Sequence, residues 1–585
     1  MLLLAGCTSN RVNNITSNVN NNISQSGVNN DNVQVTANYT FYVTVPVNTP
    51  INDSVNITFF SDVDWQLWKP MTYLGNNTWF YSMPAGWLPT GATIISYGYT
   101  RRGDWDKTEL LNLDNSSFWI NRSFPSNRNY GFVKYDIVKS WRDIVTISPD
   151  EIIRGVVHAI VPLDADRVVL TDNGLNYELN KVRDLYFSAN LSLLYNSSFT
   201  LTAYYSNNSV INSNNFLFDR EVFAYVAEPG VGRILVKGHS FSGCHNCAPY
   251  NNEDYLPFVN SSYDLMKAEG ATWVSFNPFW YLTNYTTSDL RPIYRDEYNS
   301  GVWSGWMYYT ISDYEVRSLI RWAHQRDLKV FLMPHLSVIN WSETVPGKGN
   351  LSPVDVDAFF NSYTNFQLHY ARIAKEESVE LYSIGNEMDS VTDESNTLST
   401  GYNKTAKWYG VIDAVRSVYD GNVTYSCSCS HNDDSPCTPE KIQFWNKLDV
   451  IGFEWYIPLT TNLNPTISDL VSDARLIIDN KVKPLSEKFE GKPVLFSEYG
   501  WSAKPYAWTS TYTGGGEGNF SKYDAVLAYE AVYEAVKDEP IVLGMFDAWP
   551  LGNAENMNWI RDYNGPDLRF SIIEPEIAKW YSYFK

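Results

Sequence analysis

The period of the hydrophobic pattern changes once along the chain, near Pro229-Gly230. From residue 38 to this point, short runs such as YTFYVTVPV and FTLTAYY alternate apolar and polar positions, and Asn, Gly and Pro turns separate them. Alternation with a period of two is typical of strands with one buried face. It predicts two β-sandwich (Ig-like) domains, over residues 38–140 and 141–228.

Beyond residue 229, short apolar runs alternate with amphipathic helices. In SDYEVRSLIRWAHQRD, Ser312 and Glu315 form a predicted capping box, and apolar residues follow at helical spacing. Eight apolar runs occur in order: RILVKG, TWVSFN, KVFLMPH, ELYSIGNE, VTYSCS, LDVIGFEWY, PVLFSEYG and IVLGMFDAW. Seven helical stretches separate these eight runs, and residues 575–580 supply an eighth helix. This order predicts an α/β fold for residues 229–585, a (β/α)8 TIM barrel.

The N-terminal residues predict export. Residues 1–7, MLLLAGC, read as a truncated lipoprotein-type signal in which Cys7 would be lipidated, and the alternative is a chance Leu-Ala-Gly-Cys. Residues 8–37 form a polar tether rich in Asn, Ser and Thr. Glycosylation sequons recur along the chain. We therefore expect an extracellular or surface-anchored glycoprotein, whose membrane contact is limited to a lipid on Cys7.

Composition narrows the choice of partners. The chain has 44 basic and 65 acidic residues, a net charge of −21, which makes nucleic acid a poor partner. Its 21 Trp and 41 Tyr suit either an aromatic-rich core or rings that stack on sugars. We expect a monomer that binds a polysaccharide.

The cysteines can be read as zinc ligands or as disulfides. Apart from Cys7 they lie in the segments CHNC and CSCSHNDDSPC, and these lack the paired C-x2-C spacing of a structural zinc site. In an exported protein we expect local disulfides, with one thiol left over, and neither a metal nor a cofactor. The five residues are Cys244, Cys247, Cys427, Cys429 and Cys437.

Two glutamates follow apolar strands at positions where a barrel places its reactive groups. Glu387 ends the fourth run and Glu498 ends the seventh, and TIM-barrel active sites lie at the C-terminal ends of the strands. Two facing carboxyl groups are what glycoside hydrolysis requires, one as the acid and one as the nucleophile. The alternatives are a metal site, which no ligand spacing supports, and a pair of salt-bridged glutamates.

The motifs around these residues resemble those of a known group. Gly-Asn-Glu at 385–387 and the glutamate of LFSEYGW resemble the strand-4 and strand-7 motifs of glycoside hydrolase clan A. GATWVSFNPFWY, LIRWAHQRDLKVFLMPHL, FWNKLDVIGFEWYIPL and KPVLFSEYGW are similar to strands 2, 3, 6 and 7 of family 113, the β-mannanases. The resemblance implies retaining hydrolysis, with Glu387 as acid/base and Glu498 as nucleophile.

The resemblance also implies roles for neighbouring residues. Asn386 would hold the sugar 2-OH, Tyr456 would hydrogen-bond the nucleophile, and Trp549 would form the floor of the sugar site. Further substrate-binding residues are expected at Asn277, Trp280, His335 and Trp341. The loops 284–310 and 389–404 depart from the family pattern, and they shape the cleft.

A separate resemblance concerns the first sandwich. ISYGYTRRGDWDKTELLN is similar to carbohydrate-binding module family 20, the starch-binding type. It implies a stacking role for Trp105, and the alternative is a core anchor.

These features together predict a retaining endo-β-1,4-glycanase that acts on mannan, on cellulose or another β-glucan, or on xylan. The alternative is a non-catalytic, cell-surface glycan-binding protein. Since a decayed enzyme usually loses one of its two carboxyl groups and this chain keeps both, the enzyme is favoured.

Overall fold

The structure is a computed structural model of the chain. It describes residues 38–141 with several gaps, which include 111–121, and residues 152–219, 221–230, 234–240, 263–294, 310–339, 347–430, 439–501, 505–510, 521–547 and 572–584. Within these ranges, no helix is long and apolar enough to cross a membrane.

The first domain consists of two four-stranded sheets, ordered β4-β5-β1-β9 and β3-β2-β6-β8, with a short ribbon of β7 and β10. The rings of Phe41, Phe59 and Tyr97 meet between the sheets at centroid distances of 5.0–6.1 Å. Trp141 lies in the same core, one residue beyond the predicted boundary. The strands are β1 Asn38–Thr44, β2 Val55–Ser61, β3 Gln66–Pro70, β4 Thr72–Gly75, β5 Thr78–Pro84, β6 Ile94–Arg101, β7 Glu109–Leu110, β8 Arg122–Pro125, β9 Phe132–Ile137 and β10 Ser140–Trp141.

The second domain is also made of strands, in the order β16-β15-β12-β13-β14-β11-β18, with β17 beside β15. Val157 of β11 and Leu170 of β12 belong to one apolar core, so the two halves of the sheet enclose it. Both β-rich domains agree with the predicted fold class. The strands are β11 Ile152–Ile160, β12 Ala165–Asp172, β13 Leu175–Arg183, β14 Tyr186–Leu194, β15 Ser198–Tyr205, β16 Val210–Asn212, β17 Phe216–Leu217 and β18 Glu221–Tyr225.

The C-terminal region is a closed parallel barrel, β19-β20-β22-β24-β25-β26-β27-β28, and β21 and β23 form a short parallel ribbon beside it. Each of the eight predicted apolar runs forms one barrel strand, so the predicted TIM barrel is confirmed. The strands are β19 Val236–Ser240, β20 Trp273–Phe276, β21 Phe279–Leu282, β22 Lys329–Leu332, β23 His335–Val338, β24 Leu381–Asn386, β25 Asn422–Ser430, β26 Ile451–Tyr456, β27 Val494–Tyr499 and β28 Val542–Asp547.

Amphipathic helices surround the barrel. The first begins with the predicted capping box, in which the Ser312 hydroxyl accepts from Glu315 N and the Glu315 carboxylate accepts from Ser312 N. Its apolar stripe is buried, as the helical spacing predicts. The helices are α1 Asp313–His324, α2 Val356–Glu376, α3 Asp389–Thr392, α4 Lys404–Arg416, α5 Ile467–Ile477, α6 Lys483–Lys488, α7 Lys522–Val536 and α8 Ile573–Tyr583. A π-helical turn, Ile478–Val482, joins α5 to α6, and 3-10 turns span Lys348–Asn350, Pro439–Lys441, Phe444–Lys447 and Ala507–Thr509.

Two strands carry an extra residue directly before the candidate glutamates. On β24, Ser383 pairs with Thr424 and Asn386 with Ser426, so β24 has one more residue than β25 between these pairs. On β27, Leu495 pairs with Gly452 and Glu498 with Glu454, so β27 has one more residue than β26. Gly385 within the first bulge has φ +152°, and a Cβ there would come within 2.4 Å of the Tyr363 hydroxyl. Such bulges turn a side chain away from the regular alternation, so they set the direction of the residues that follow.

The second domain packs against the helices of the barrel. Tyr186 and Phe223 lie against the core of the barrel. The Tyr523 hydroxyl of α7 donates to Asp184 Oδ2 at 2.8 Å, and Tyr225 hydrogen-bonds Ser582 of α8 at 2.9 Å.

Helix α8 is fastened to α7 by a buried ionic cluster. Lys579 Nζ lies 2.7 Å from Glu530 Oε2 and 3.0 Å from Glu576 Oε2. The indole of Trp580 donates to Glu530 at 2.6 Å. Removal of one member of a buried ion pair leaves an uncompensated charge, which costs more than the pair itself contributes.

We expect Lys579→Met to destabilise the barrel by about 3–5 kcal/mol, because Glu530 and Glu576 lose their buried cation. The measurement is the barrel transition in calorimetry. Lys483→Met is the matched control, because Lys483 also bridges two carboxylates, Asp479 and Glu539, but these three side chains are partly exposed, at 35%, 54% and 21%. It should cost less than about 1 kcal/mol. Equal losses from the two variants would show that the cluster does not hold α8.

Candidate active site

Three carboxyl side chains meet at the C-terminal ends of the barrel strands. Glu387 directly follows β24, Glu454 lies on β26 and Glu498 on β27. Their exposed fractions are 3%, 0% and 2%. Glu454 and Glu498 are register partners on adjacent strands, and the charge of Glu387 acts on both of the others. Burial of several acids at one point requires compensation by cations or hydrogen-bond donors.

Lys348 supplies the cation of this site. Its Nζ lies 2.7 Å from Glu387 Oε2 and donates to Asn386 Oδ1 at 3.0 Å. Glu387 itself has φ +48°, in the left-handed region. Burial alone would raise the pKa of Glu387, but the Lys348 cation and a hydrogen bond from Glu454 hold that pKa well below its usual range.

Glu454 is held from the inner side of the barrel by hydroxyl groups. Ser426 Oγ donates to Glu454 Oε1 at 2.6 Å, and Ser497 Oγ lies 2.6 Å from Ser426 Oγ. Burial raises the pKa of Glu454 well above its usual range, and the charges of Glu387 and Glu498 raise it further. Both effects favour the neutral, protonated form of Glu454.

Glu498 accepts a hydrogen bond from Tyr456, at 2.8 Å between the hydroxyl and Oε2. The contact expected between these two residues is therefore present. Burial and the charge of Glu387 raise the pKa of Glu498 to about 7, against the opposing effects of Lys348 and the Tyr456 hydroxyl. Glu498 thus titrates near neutrality.

The pKa shifts of the two glutamates run opposite to the roles that the family resemblance implies. The pKa of Glu387, the expected acid, is lowered, whereas that of Glu498, the expected nucleophile, is raised to about 7. The Lys348 ammonium accounts for the difference, because among the described residues its ion pair is with Glu387.

Other predicted residues are placed around the same end of the barrel. Asn386 is buried beside Glu387 and bonds Lys348. Asn277 follows β20, and His335 begins β23, three residues after the end of the third barrel strand, β22. Both are buried, and the His335 ring packs edge-on against Phe279 at 5.0 Å. The structure brings Asn386 and Tyr456 into contact with the candidate catalytic groups, and a sugar-binding role for Asn277 and His335 stays a prediction.

Trp280 lies in the helix layer. Its indole donates to the Tyr370 hydroxyl at 3.1 Å, and its ring packs on Phe366 and His369. All three partners belong to α2. These contacts direct the indole towards the outer helices, and the role of Trp280 in substrate binding stays a prediction.

Several other predictions lie outside the described residues, namely those on Trp105, Trp341, Trp549, Cys244, Cys247 and Cys437, and on the side chain of Cys429. Cys427 is a free, buried cysteine. In the described part of the chain, no group of three or more His, Cys, Asp or Glu side chains is arranged to hold a metal ion.

Glu454 and Lys348 were not predicted from the sequence. The run GFEWY contains the signal for Glu454, an acid inside an apolar strand, and the same signal identified Glu387. Lys348 has no such signal, because it lies on a turn whose contact with β24 is set by the tertiary fold.

Comparison with known proteins identifies a family for the barrel. Residues 258–557 match the model of Glycoside Hydrolase Family 113. Among solved structures, the chain is similar to the GH113 β-mannanase AaManA from Alicyclobacillus acidocaldarius in complex with ManMIm, with 22% identity, a TM-score of 0.46, and coverage of 60% of this chain and 98% of that one. A GH113 β-1,4-mannanase is similar with 19% identity and a TM-score of 0.44, over 59% of this chain and 98% of that one. A β-glucuronidase from Bifidobacterium dentium is similar with 10% identity and a TM-score of 0.33, over 93% of this chain and 67% of that one. No curated protein sequence matches the chain.

We expect Lys348→Met to destabilise the protein in a pH-dependent manner. With Lys348 present, the lowered pKa of Glu387 stabilises the fold fully above the unfolded pKa, near 4.3, and this stabilisation is lost only as pH falls below that value. Without the cation, burial raises the pKa of Glu387 instead, so its carboxyl stays protonated near pH 5 and carries an uncompensated charge at pH 8. The loss at pH 8 should therefore reach about 3–5 kcal/mol and should shrink towards pH 5. The measurement is the melting temperature across this range.

Lys348→Arg is the matched control, because it keeps a cation in reach of Glu387. A melting temperature of Lys348→Met that falls equally at pH 5 and pH 8 would contradict the ion pair.

Proposed function

Because the chain belongs to Glycoside Hydrolase Family 113, it is a glycoside hydrolase, and we propose that it is a retaining endo-β-1,4-glycanase acting on β-mannan or a related β-linked polysaccharide. The observation that carries the proposal is the pair Glu387 and Glu498, buried together at the ends of the fourth and seventh barrel strands. The Tyr456 hydroxyl fixes one oxygen of Glu498. This arrangement suits an oriented nucleophile beside an acid.

In the first step, the Glu498 carboxylate attacks the anomeric carbon and the bond to the leaving oxygen breaks. The proton of Glu387 passes to that oxygen. In the second step, Glu387 takes a proton from water, the water oxygen bonds to the anomeric carbon, and Glu498 leaves as a carboxylate. The configuration at the anomeric carbon is retained.

This mechanism requires Glu387 to be protonated and Glu498 to be ionised when the substrate is bound. Lys348 donates to Asn386 and pairs with Glu387. A sugar hydroxyl that bonds Asn386 competes with Lys348 for this contact. When the ammonium moves away from Glu387, the ionised form of Glu387 is less favoured, and its pKa rises towards that of an acid catalyst.

The substrate preference rests on the sequence motifs. Four strand motifs resemble those of family 113 β-mannanases and support a β-1,4-linked mannan as substrate, whereas the starch-type stretch of the first sandwich points to a different glycan. A binding module and a catalytic domain need not recognise the same polymer. The recurring sequons and the Leu-Ala-Gly-Cys start support a place outside the cell or on its surface.

The direct test is hydrolysis of mannan, carboxymethyl-cellulose, xylan and starch by the purified protein. We expect the highest rate on mannan and none on starch. Absence of hydrolysis of all four, with binding to one of them, would favour the non-catalytic alternative.

We expect Glu498→Ala to lower kcat on an aryl β-glycoside by at least about 10^4-fold, because no covalent intermediate can form. Azide should restore turnover by occupying the vacated space, and the glycosyl azide formed should have inverted configuration. NMR of the product measures this directly.

Glu387→Ala is the matched variant. Substrates with poor leaving groups should suffer far more than activated aryl glycosides, because an activated group departs without protonation. Azide should now give a product of retained configuration. If the two variants exchanged their stereochemical outcomes, the two roles would be reversed.

A further inference from the structure

Glu454 is a buried carboxylic acid that the double displacement does not use. It lies on β26 with an exposed fraction of 0%, between the strands that carry Glu387 and Glu498. An acid at this depth costs several kcal/mol unless its polar atoms are paired. Its contacts therefore indicate what it does.

The two oxygens of Glu454 have different surroundings. Oε1 accepts from Ser426 Oγ at 2.6 Å, and Ser426 is in turn 2.6 Å from Ser497 Oγ. No N–H or O–H group of the described residues donates to Oε2. The carboxyl hydrogen-bonds Glu387. Because two carboxyl groups can share a hydrogen bond only if one of them is protonated, this contact requires a proton on one of the two carboxyl groups.

The charged and titratable groups that face Glu454 also favour its neutral form. Glu387 and Glu498 approach from β24 and β27, Lys348 from its turn, and the thiol of Cys427 from β25. One cation cannot compensate three carboxylates at this depth. An ionised Glu454 would therefore add a repulsion that the neutral acid avoids.

We propose that Glu454 is a positioning residue that keeps its proton throughout the reaction and uses it to hold the Glu387 carboxyl in place. This inference rests on the proposed function, because it assigns a partner to the acid/base of that reaction. Ser426 and Ser497 orient Glu454 from the inner side of the barrel, so that its one O–H points to Glu387.

A fixed donor of this kind acts on both chemical steps. In the first step it stabilises the carboxylate that forms as Glu387 gives its proton to the leaving oxygen. In the second step it holds that carboxylate while Glu387 accepts a proton from water. The contact favours the ionised form of Glu387, and it keeps the carboxyl from rotating away from the substrate.

Proton relay through Glu454 would require a path to solvent. Glu454, Ser426 and Ser497 are all completely buried. No hydrogen bond of the described residues leads from Ser497 to the surface. These observations favour a permanent proton over one that is exchanged in every cycle.

The first experiment compares Glu454→Gln with Glu454→Leu. Gln keeps an acceptor for Ser426 and a neutral donor for Glu387, so we expect kcat within about threefold of wild type. Leu has similar volume and lacks the donor, so we expect kcat to fall roughly 10- to 100-fold. The alkaline limb of the kcat/KM profile should also move to higher pH in Glu454→Leu, because the ionised form of Glu387 has lost a hydrogen-bond donor. In Glu454→Gln, the alkaline limb should return to its wild-type position.

The second experiment does not depend on activity. The pKa of Glu454 is raised in the folded state, so it stabilises the fold at low pH, and this stabilisation is lost as pH rises above the unfolded value. Glu454→Gln removes the titrating group. We therefore expect the difference in melting temperature, Glu454→Gln minus wild type, to increase steadily from pH 5 to pH 9.

Two results would overturn the inference. A loss above 100-fold in Glu454→Gln would mean that Glu454 must ionise during turnover. Equal pH profiles for Leu and wild type would mean that Glu454 has a structural role only. Failure of the proposed function is a separate result, since it would appear as a wild-type protein that hydrolyses no glycan, whereas the melting measurements would still report whether Glu454 is protonated.

Discussion

The burial of three carboxyl groups around one lysine is the constraint on which the site depends. Each buried acid must be neutral, paired or hydrogen-bonded, because an uncompensated charge in the interior costs several kcal/mol. The three acids meet this requirement in three ways. Glu387 is paired with Lys348, Glu454 accepts from Ser426 and has a raised pKa that favours its neutral form, and Glu498 accepts from Tyr456 and has a pKa of about 7. Reactivity follows from how easily this arrangement can be changed.

The fold maintains that arrangement with backbone as well as side chains. The bulges on β24 and β27 each place an extra residue before a glutamate, and the hydroxyl of Tyr363 from α2 occupies the space that a side chain at Gly385 would need. Since the barrel strands are buried on both faces, the bulges cannot relax without disturbing the helix layer. The direction of both carboxyl groups is therefore set by packing far from the substrate.

Sequence alone predicted what depends on local pattern. The eight barrel strands, the capping box at Ser312 and the two glutamates at strand ends each have a signal within a few residues. The contacts of Trp280 with α2 had no local signal, because an aromatic residue after a strand gives the same sequence pattern whether it faces the cleft or the helices. Lys348 and the two bulges were missed because they are set by contacts between distant segments. Glu454 had a local signal, but only the strand pairing shows that it lies beside Glu498.

The packing of the second sandwich against the barrel determines which fragments of this chain can fold on their own. Tyr186 and Phe223 bury apolar surface against the barrel, and Asp184 bonds Tyr523 at the start of α7, the helix that follows the seventh strand. A barrel cut free at residue 229 would expose this aromatic face to water, which favours aggregation. The smallest fragment expected to fold as a stable unit is therefore the barrel together with the second sandwich, beginning near residue 152. Recombination that exchanges modules between such enzymes is best tolerated upstream of that point.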